Sequence, residues 1–268
     1  TKEIYIFSGL GADERVFQRL DFSGCLPTFI KWIRPQDNET IEHYTMRLLE
    51  QIKTTRPILI GLSFGGLIAI EAAKQIDTEK VILIIREDKK GNTILLPYRR
   101  ETQAPQTVAG KTFKKLKFPD QLFFGTSSTS EQQLLKQILN DTDAIFLKWA
   151  IDKVVHWTNL TPIKNIFHIH GTSDRILPLK FVNCNTTINN GGHLMTLNKA
   201  EALNKKYGSN LTDKDWGTGR PAREQISLHC LAGNIIGRVP LLHASSCSAD
   251  TRHFSEKSEK ISPKICLI

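Results

Sequence analysis

Residues 57–74 read PILIGLSFGGLIAIEAAK and combine two kinds of local pattern. Pro57–Ile60 is a short apolar run of the kind found in buried strands, and Phe64–Lys74 is a Gly- and Ala-rich run of helical length. The turn between them is short and has a small residue on each side, Gly61 and Gly65, as a tight turn requires. A strand that passes so directly into a helix predicts one unit of a parallel α/β sheet.

Strand-like and helix-like segments continue to alternate on both sides of this unit. The predicted strands are Ile4–Phe7, Thr28–Ile33, Pro57–Ile60, Lys80–Ile85, Ile166–His170 and Thr186–Ile188. The predicted helices are Glu14–Leu20, Thr40–Ile52, Phe64–Lys74, Glu131–Leu139, Ala144–Val155 and Leu194–Lys206. Unbroken apolar strands between helices predict an α/β fold, with a mostly parallel sheet flanked by helices on both faces.

Two stretches depart from this alternation. Arg86–Gly125 is polar and is followed by two predicted helices, so a mostly helical insert, about residues 86–161, separates the fourth strand from the fifth. From Tyr207 onward the periodicity is lost, and Ser, Gly and basic residues are frequent. We therefore expect one domain over residues 1–206 and an irregular extension over residues 207–268.

The composition excludes two classes of partner. The chain of 268 residues has no apolar run of the ~18–20 residues that a membrane-spanning helix needs, so we expect no membrane association. It carries 36 Lys and Arg against 27 Asp and Glu, which gives a net charge of +9. The densest basic stretches, Lys111–Lys117 and Arg86–Arg100, are short and lack regular aromatic residues. They favour a solvated basic face, so we expect no nucleic-acid partner, and association through the net positive charge is a further alternative.

The cysteines and histidines indicate neither a disulfide scaffold nor a metal site. The five cysteines form no CxxC pair and no zinc-ligand spacing, and their odd, scattered set favours a reducing compartment, here the cytoplasm. His168 and His170 share one strand face, but no third ligand is spaced to complete a metal site. Gly9-Leu10-Gly11 has Glu14 where a dinucleotide-binding motif needs its third glycine. We therefore expect no metal and no cofactor.

Ser63 is the central residue of a G-x-S-x-G motif that runs from Gly61 to Gly65. A strand before this motif and a helix after it are the context in which it forms a nucleophile elbow. The serine then stands at the carboxyl edge of the sheet, beside a helix N-terminus that stabilises developing negative charge. The alternative is a Gly-rich turn whose serine only caps the helix.

A serine nucleophile needs a base, and the base needs an acid that orients it. Asp174 follows the predicted strand Ile166–His170, and His193 lies 19 residues later, directly before a helix. Both positions follow strand ends on the same sheet edge as Ser63, in the order Ser, Asp, His. We therefore predict Asp174 as the acid and His193 as the base.

Two backbone N–H groups are expected to stabilise the oxyanion. One belongs to Phe64, the residue after the predicted nucleophile, and the other to the loop after the first strand, where we choose Leu10.

Residues 1 to about 206 resemble the α/β-hydrolase superfamily, and specifically a small bacterial-type form. The resemblance is carried by four segments, which are Phe7–Gly11, Gly61–Gly66, His170–Asp174 and Gly191–His193. It implies a Ser-His-Asp hydrolase with a helical cap over the site, here residues 86–161. The superfamily includes esterases, lipases, thioesterases, amidases and C–C hydrolases, so the fold does not select a substrate.

The chain departs from the family pattern at two places. Many members begin the oxyanion loop with His-Gly, whereas this chain has Ser8-Gly9. The strand that ends at Ile85 continues into charged residues where relatives have small ones, and this makes Glu87 or Asp88 a rival for the acid. Asp174 is preferred because its loop pattern matches the family better.

These observations predict a cofactor-independent serine hydrolase that acts on a small ester or a related acyl compound. The alternative is a non-catalytic binding protein with the α/β-hydrolase fold. Water is the expected acyl acceptor, although transfer to another nucleophile stays open. The aromatic residues Phe123, Phe124, Phe146, Trp149 and Trp157 are expected to form the core of the cap, and some of them to line an acyl pocket.

Overall fold

The computed structural model describes residues 2–85, 125, 128–159 and 161–212. Its strands are β1 (Lys2–Phe7), β2 (Cys25–Phe29), β3 (Ile58–Leu62), β4 (Lys80–Ile84), β5 (Ile166–Gly171) and β6 (Thr186–Ile188). Its α-helices are α1 (Ile41–Leu48), α2 (Phe64–Gln75), α3 (Thr129–Asp141), α4 (Ala144–His156), α5 (Met195–Asn198) and α6 (Ala200–Thr212). Short 3₁₀ helices cover Glu14–Phe17, Leu49–Gln51 and Leu179–Phe181. The rival acids Glu87 and Asp88, and with them much of the insert, lie outside the described residues.

The six strands form one sheet in the order β2-β1-β3-β4-β5-β6, and every pair is parallel. This confirms the predicted parallel α/β sheet. Because all strands run the same way, the loops after them meet at one carboxyl edge. The chain leaves β1 for the outer strand β2 and returns to β3 on the other side of β1. A crevice forms at such a change of direction, which is where open α/β sheets bind ligands.

Two apolar cores cover the two faces of the sheet. Alternate strand residues point to opposite faces, so Ile4 and Ile60 belong to one core and Tyr5 and Leu59 to the other. The first core also contains Ile138 of α3 and residues of α5 and α6, whereas the second contains residues of α1, α2 and α4. The two helices of the insert therefore contribute to different cores.

The second strand lies earlier in the chain than the sequence predicts. It covers Cys25–Phe29, in register with β1, instead of Thr28–Ile33. Ile30 is buried and Trp32 and Ile33 are partly buried because they pack in the second core beyond the end of the strand. The Tyr44 hydroxyl accepts a hydrogen bond from the Ile33 N–H at 3.2 Å and donates one to the Ile33 carbonyl at 2.8 Å. The apolar run Thr28–Ile33 therefore indicates which residues are buried, whereas hydrogen bonding to β1 determines which residues form the strand.

The last helix, α6, continues to Thr212, and the chain from residue 213 onward lies outside the described residues. The prediction of an irregular extension from residue 207 is wrong for residues 207–212, which belong to α6 and place Tyr207 in the first core, and it stays a prediction for residues 213–268. Within the described ranges, no helix combines the length and the apolar content that crossing a membrane requires.

Candidate active site

The turn between β3 and α2 holds Ser63 in a conformation that non-glycine residues seldom adopt. Its φ is 53° and its ψ is −118°. Such a backbone costs about 1–3 kcal/mol and persists only where its surroundings hold it. Here the Ser63 N–H donates to the Ile84 carbonyl at 3.0 Å, and the Gly66 N–H donates to the Ser63 carbonyl at 2.8 Å. The serine therefore has the backbone of a nucleophile elbow.

Two glycines make this turn possible because they have no side chain. A Cβ built on Gly61 would lie 2.5 Å from the Gly65 carbonyl oxygen and 2.6 Å from Gly66 Cα. A Cβ built on Gly65 would overlap the carbonyl oxygens of Phe7 and Ser8 at the end of β1. The helix α2 therefore packs directly against the backbone of the neighbouring strand, which explains the glycines on both sides of the turn.

The structure brings Ser63, His193 and Asp174 together in one hydrogen-bonded chain. Ser63 Oγ lies 3.0 Å from His193 Nε2, and His193 Nδ1 lies 2.9 Å from Asp174 Oδ2. Since the carboxylate accepts a hydrogen bond from Nδ1–H, the Nε2 lone pair is left to accept the hydrogen bond of the serine hydroxyl. His193 is only 6% exposed and Asp174 only 4%, so little water competes for these bonds.

Asp174 is held as a carboxylate although it is buried. Burial favours its neutral form, but the charge and hydrogen bond of His193 and the N–H of Leu177 outweigh burial and lower the pKa of Asp174. Its second oxygen, Oδ1, accepts hydrogen bonds from the N–H groups of Ile176 and Leu177, both at 2.8 Å. The acid is thus fixed on both oxygens, and one of them is directed at the histidine.

The loops after β5 and β6 meet through their backbones. The Thr172 N–H donates to the Ile188 carbonyl at 3.0 Å, and the Ser173 N–H donates to the Gly191 carbonyl at 2.9 Å. A Cβ on Gly171 would overlap the Gly191 carbonyl. This close approach explains how residues 19 positions apart, one on each loop, come into hydrogen-bond contact.

His170 is a neighbour of the site to which the sequence assigned no catalytic role. It is fully buried, its Nε2 donates to the Leu177 carbonyl at 2.8 Å, and it lies 4.0 Å from Asp174 Oδ2. Burial lowers the pKa of His170, so the ring is neutral at pH 7. Its hydrogen bond to Leu177 links β5 to the turn that carries Asp174. The only signal in the sequence is its place at the end of an apolar strand.

The described residues contain no group of three His, Cys, Asp or Glu side chains arranged to hold a metal ion. His168, the second histidine on β5, donates from Nδ1 to the Asn183 carbonyl at 2.9 Å. Both strand histidines therefore have packing and hydrogen-bonding contacts within the fold.

The predicted oxyanion donors belong to residues that border the same cavity as Ser63. Phe64 is the first residue of α2, so its N–H has no partner within the helix. Leu10 lies in the loop Gly9–Ala12 after β1, and a Cβ on Gly9 would stand 3.6 Å from Ser63 Cβ. This loop therefore lies directly beside the serine.

The cavity at Ser63 has a volume of about 80 Å³ and is mainly apolar. Helix α3 contributes Leu135 and Leu139 to its wall, α4 contributes Val154, and α2 contributes Leu67. Phe146 and Trp149 do not line it but pack with Tyr44 and Phe64 in the second core. The two insert helices thus contribute aliphatic side chains to the wall of the cavity.

Comparison with known proteins agrees with this architecture. No family model matches the sequence, and no curated protein is significantly similar to it. Among solved structures, a bromoperoxidase from Bacillus anthracis is 17% identical, with a TM-score of 0.58 over 79% of this chain and 92% of that one. An esterase from Exiguobacterium antarcticum is 16% identical, with a TM-score of 0.58 over 80% and 92%. A thermophilic esterase from Thermogutta terrifontis is 14% identical, with a TM-score of 0.61 over 79% and 89%. The chain therefore has the α/β-hydrolase fold, as the resemblance in its sequence predicted.

Proposed function

We propose that this protein is a serine hydrolase that cleaves a small ester or a related acyl compound. The observation that carries the proposal is the unbroken chain of hydrogen bonds from Ser63 Oγ through His193 to Asp174, at 3.0 and 2.9 Å. The strained backbone of Ser63 supports it, because strain of this kind is found at functional sites.

Each group has a defined step in the proposed reaction. Ser63 Oγ attacks the acyl carbon while His193 Nε2 takes its proton, and Asp174 stabilises the imidazolium that results. The N–H groups of Phe64 and Leu10 stabilise the negative oxygen of the tetrahedral intermediate. The intermediate then collapses: the bond between the acyl carbon and the alcohol oxygen breaks, that oxygen takes the proton from His193, and the alcohol leaves an acyl-enzyme behind.

Water completes the cycle by the same route. His193 removes a proton from a water molecule that attacks the acyl carbon, and a second tetrahedral intermediate forms. Its collapse breaks the bond to Ser63 Oγ, which regains a proton from His193, and the carboxylic acid leaves.

The wall of the cavity favours a short, uncharged acyl chain. Leu67, Leu135, Leu139 and Val154 offer no partner for a charged or strongly polar group. A volume of about 80 Å³ accommodates an acetyl or butyryl group more readily than a long chain. We therefore propose a small-molecule ester as the substrate, with no cofactor. On the separate ground of the cysteine pattern, we propose a cytoplasmic location.

Hydrolysis of p-nitrophenyl acetate and butyrate tests the proposal. Ser63→Ala and His193→Ala are each expected to lower kcat by about 10⁴-fold or more. His156→Ala is the control, because this histidine lies at the exposed end of α4 and contacts its own helix. A wild-type protein that hydrolyses neither ester would favour the alternative of a non-catalytic binding protein.

A further inference from the structure

The side chain of Ser8 joins the two ends of the loop that carries Leu10. Ser8 follows the last residue of β1 and is 4% exposed. Its hydroxyl donates to the Ala12 carbonyl at 2.7 Å, and the Ala12 N–H donates to the Gly9 carbonyl at 3.0 Å. One side chain thus closes the loop across the residue whose N–H is directed to the oxyanion in the proposed reaction.

Trp32 supplies the second half of this arrangement. Its indole N–H donates to Ser8 Oγ at 2.9 Å, which orients the hydroxyl so that its own proton is directed at the Ala12 carbonyl. The Trp32 ring is fixed in turn by Phe146 of α4, stacked at 5.4 Å between centroids, and by Phe64 at 5.5 Å. Trp32 does not line the cavity at Ser63 but lines a second cavity that shares Gly11 and Ala12 with it, so its polar contact with the oxyanion loop is the one to Ser8.

The position of this loop matters because it rests on the nucleophile turn. The Ser8 carbonyl packs on Gly65, and Gly9 lies beside Ser63. On its other side, Gly11 has a φ of 63° and faces Leu139 of α3. An oxyanion donor works only when its N–H lies about 2.7–3.1 Å from the developing charge, so a small shift of the loop weakens it.

We infer that Ser8 and Trp32 are positioning residues that hold the Leu10 N–H in place for the oxyanion. The inference rests on the proposed function and extends it to two residues outside the triad. Ser8 stands where many members of the fold have histidine. In this chain the Ser8 hydroxyl and the Trp32 indole together hold the loop through their hydrogen bonds. Through Phe146, the same contacts connect the oxyanion loop to the insert.

Two variants test this inference. Trp32→Phe keeps an aromatic ring but removes the N–H, and Ser8→Ala removes both hydrogen bonds. Because a single hydrogen bond is worth up to about tenfold in an equilibrium, we expect kcat to fall about threefold to tenfold in Trp32→Phe and more in Ser8→Ala. KM is expected to change less than twofold, since neither side chain lines the cavity.

Trp149→Phe is the matched control. Its indole N–H donates to the Glu39 carbonyl at 2.9 Å in the same aromatic cluster, so the variant loses the same kind of bond away from the loop. It is expected to keep the wild-type kcat. A boronic acid that forms a tetrahedral adduct with Ser63 should lose affinity in Ser8→Ala and Trp32→Phe in proportion to kcat, and not in Trp149→Phe.

The possible results separate this inference from the proposed function. If the wild type hydrolyses esters and Ser63→Ala does not, unchanged kcat and boronic acid affinity in both variants overturn the positioning role alone. If the wild type is inactive, the proposed function fails. Hydrogen exchange of a peptide covering residues 9–12 then tests whether Ser8 and Trp32 hold the loop in place. Faster exchange in Ser8→Ala than in the wild type and Trp149→Phe supports it, whereas equal exchange overturns it.

Discussion

The turns at Ser63 and Asp174, which carry the proposed nucleophile and acid and are called here the nucleophile turn and the acid turn, both hold one side chain still, but the main contacts that do so differ. At the turn from β3 to α2, backbone packs on backbone, and an added carbon on Gly61 or Gly65 would overlap neighbouring main-chain atoms. At the turn after β5, hydrogen bonds hold the acid, with Ile176 and Leu177 donating to Asp174 Oδ1. Backbone also packs on backbone at the second turn, where Gly171 contacts Gly191, but the acid itself is held there by hydrogen bonds.

This difference determines which substitutions each turn tolerates. A change of size should destroy the nucleophile turn and with it the fold, because α2 cannot move away from β1 without opening the core. A change of charge at the same size should leave the acid turn folded and stop its chemistry. Stability and activity are therefore expected to respond separately at the two turns.

The largest effect is expected from Gly65→Ala. The added Cβ would overlap the Phe7 and Ser8 carbonyls, and we expect a loss of about 4 kcal/mol or more in the free energy of unfolding. Gly208→Ala is the matched control, because nothing lies within 4 Å of its Cβ position in α6. It is expected to raise stability by up to about 1 kcal/mol. Urea unfolding of both variants checks this, and a wild-type midpoint for Gly65→Ala would contradict the packing argument.

Asp174→Asn should affect activity much more than folding. The amide keeps the size of the acid but carries no charge, so it neither holds His193 in the tautomer with its hydrogen on Nδ1 nor stabilises the imidazolium. We expect kcat to fall by about 10³–10⁴-fold, as for the same change in other Ser-His-Asp sites. Ester hydrolysis measures this, with the exposed Asp77→Asn as control. Activity near the wild-type level would return the role of the acid to Glu87 or Asp88.

The same variant should also change the response of stability to acid. Because the folded pKa of Asp174 is lowered, its contribution is fully present above the ordinary aspartate pKa of about 3.9 and is lost as pH falls through the folded pKa. The stability difference between the wild type and Asp174→Asn is therefore expected to be largest near pH 7 and to shrink below about pH 4. Urea midpoints at pH 7 and at about pH 3 measure it, and an equal difference at these two pH values would show that folding does not stabilise the charge.

The smallest effect is expected at the wall of the cavity. Leu139→Ala removes aliphatic volume beside Ser63 and should shift the preferred acyl chain to a longer one. We expect the ratio of kcat/KM for hexanoate to that for butyrate to rise a few-fold, because one or two methylenes contribute about this much in apolar pockets. Leu134→Ala changes the same residue type on the same helix, where it packs against the first core and does not line the cavity. An equal shift in both variants would indicate a general loosening of α3.

Much of the fold is visible in the sequence because shape and periodicity are local. The glycines around Ser63 and the apolar runs of β1, β3, β4 and β5 predict both the nucleophile turn and the sheet. The second strand was placed wrongly because Ile30, Trp32 and Ile33 are buried by packing after the strand has ended. Hydropathy records burial, but it does not record which segment pairs with β1.

The site is only partly visible for a similar reason. Asp174 and His193 follow strand ends, so their meeting at one edge could be predicted from the order of the strands. The proposed role of Ser8 and the contact of His170 could not, because each depends on a carbonyl that the fold brings close. It is the Ala12 carbonyl for Ser8 and the Leu177 carbonyl for His170. Common residue types with such partners leave no pattern in one sequence.

Covalent labelling by a fluorophosphonate tests the central claim most directly. The Ser63 oxygen displaces fluoride from phosphorus, and the adduct is measured by intact mass and located by peptide mapping. The hydrogen-bonded chain from Ser63 to Asp174 predicts one adduct per chain on Ser63, labelling at least about 100-fold slower in His193→Ala, and none in Ser63→Ala. A wild-type protein that stays unlabelled, or that is labelled equally fast without His193, would contradict an activated serine at this turn.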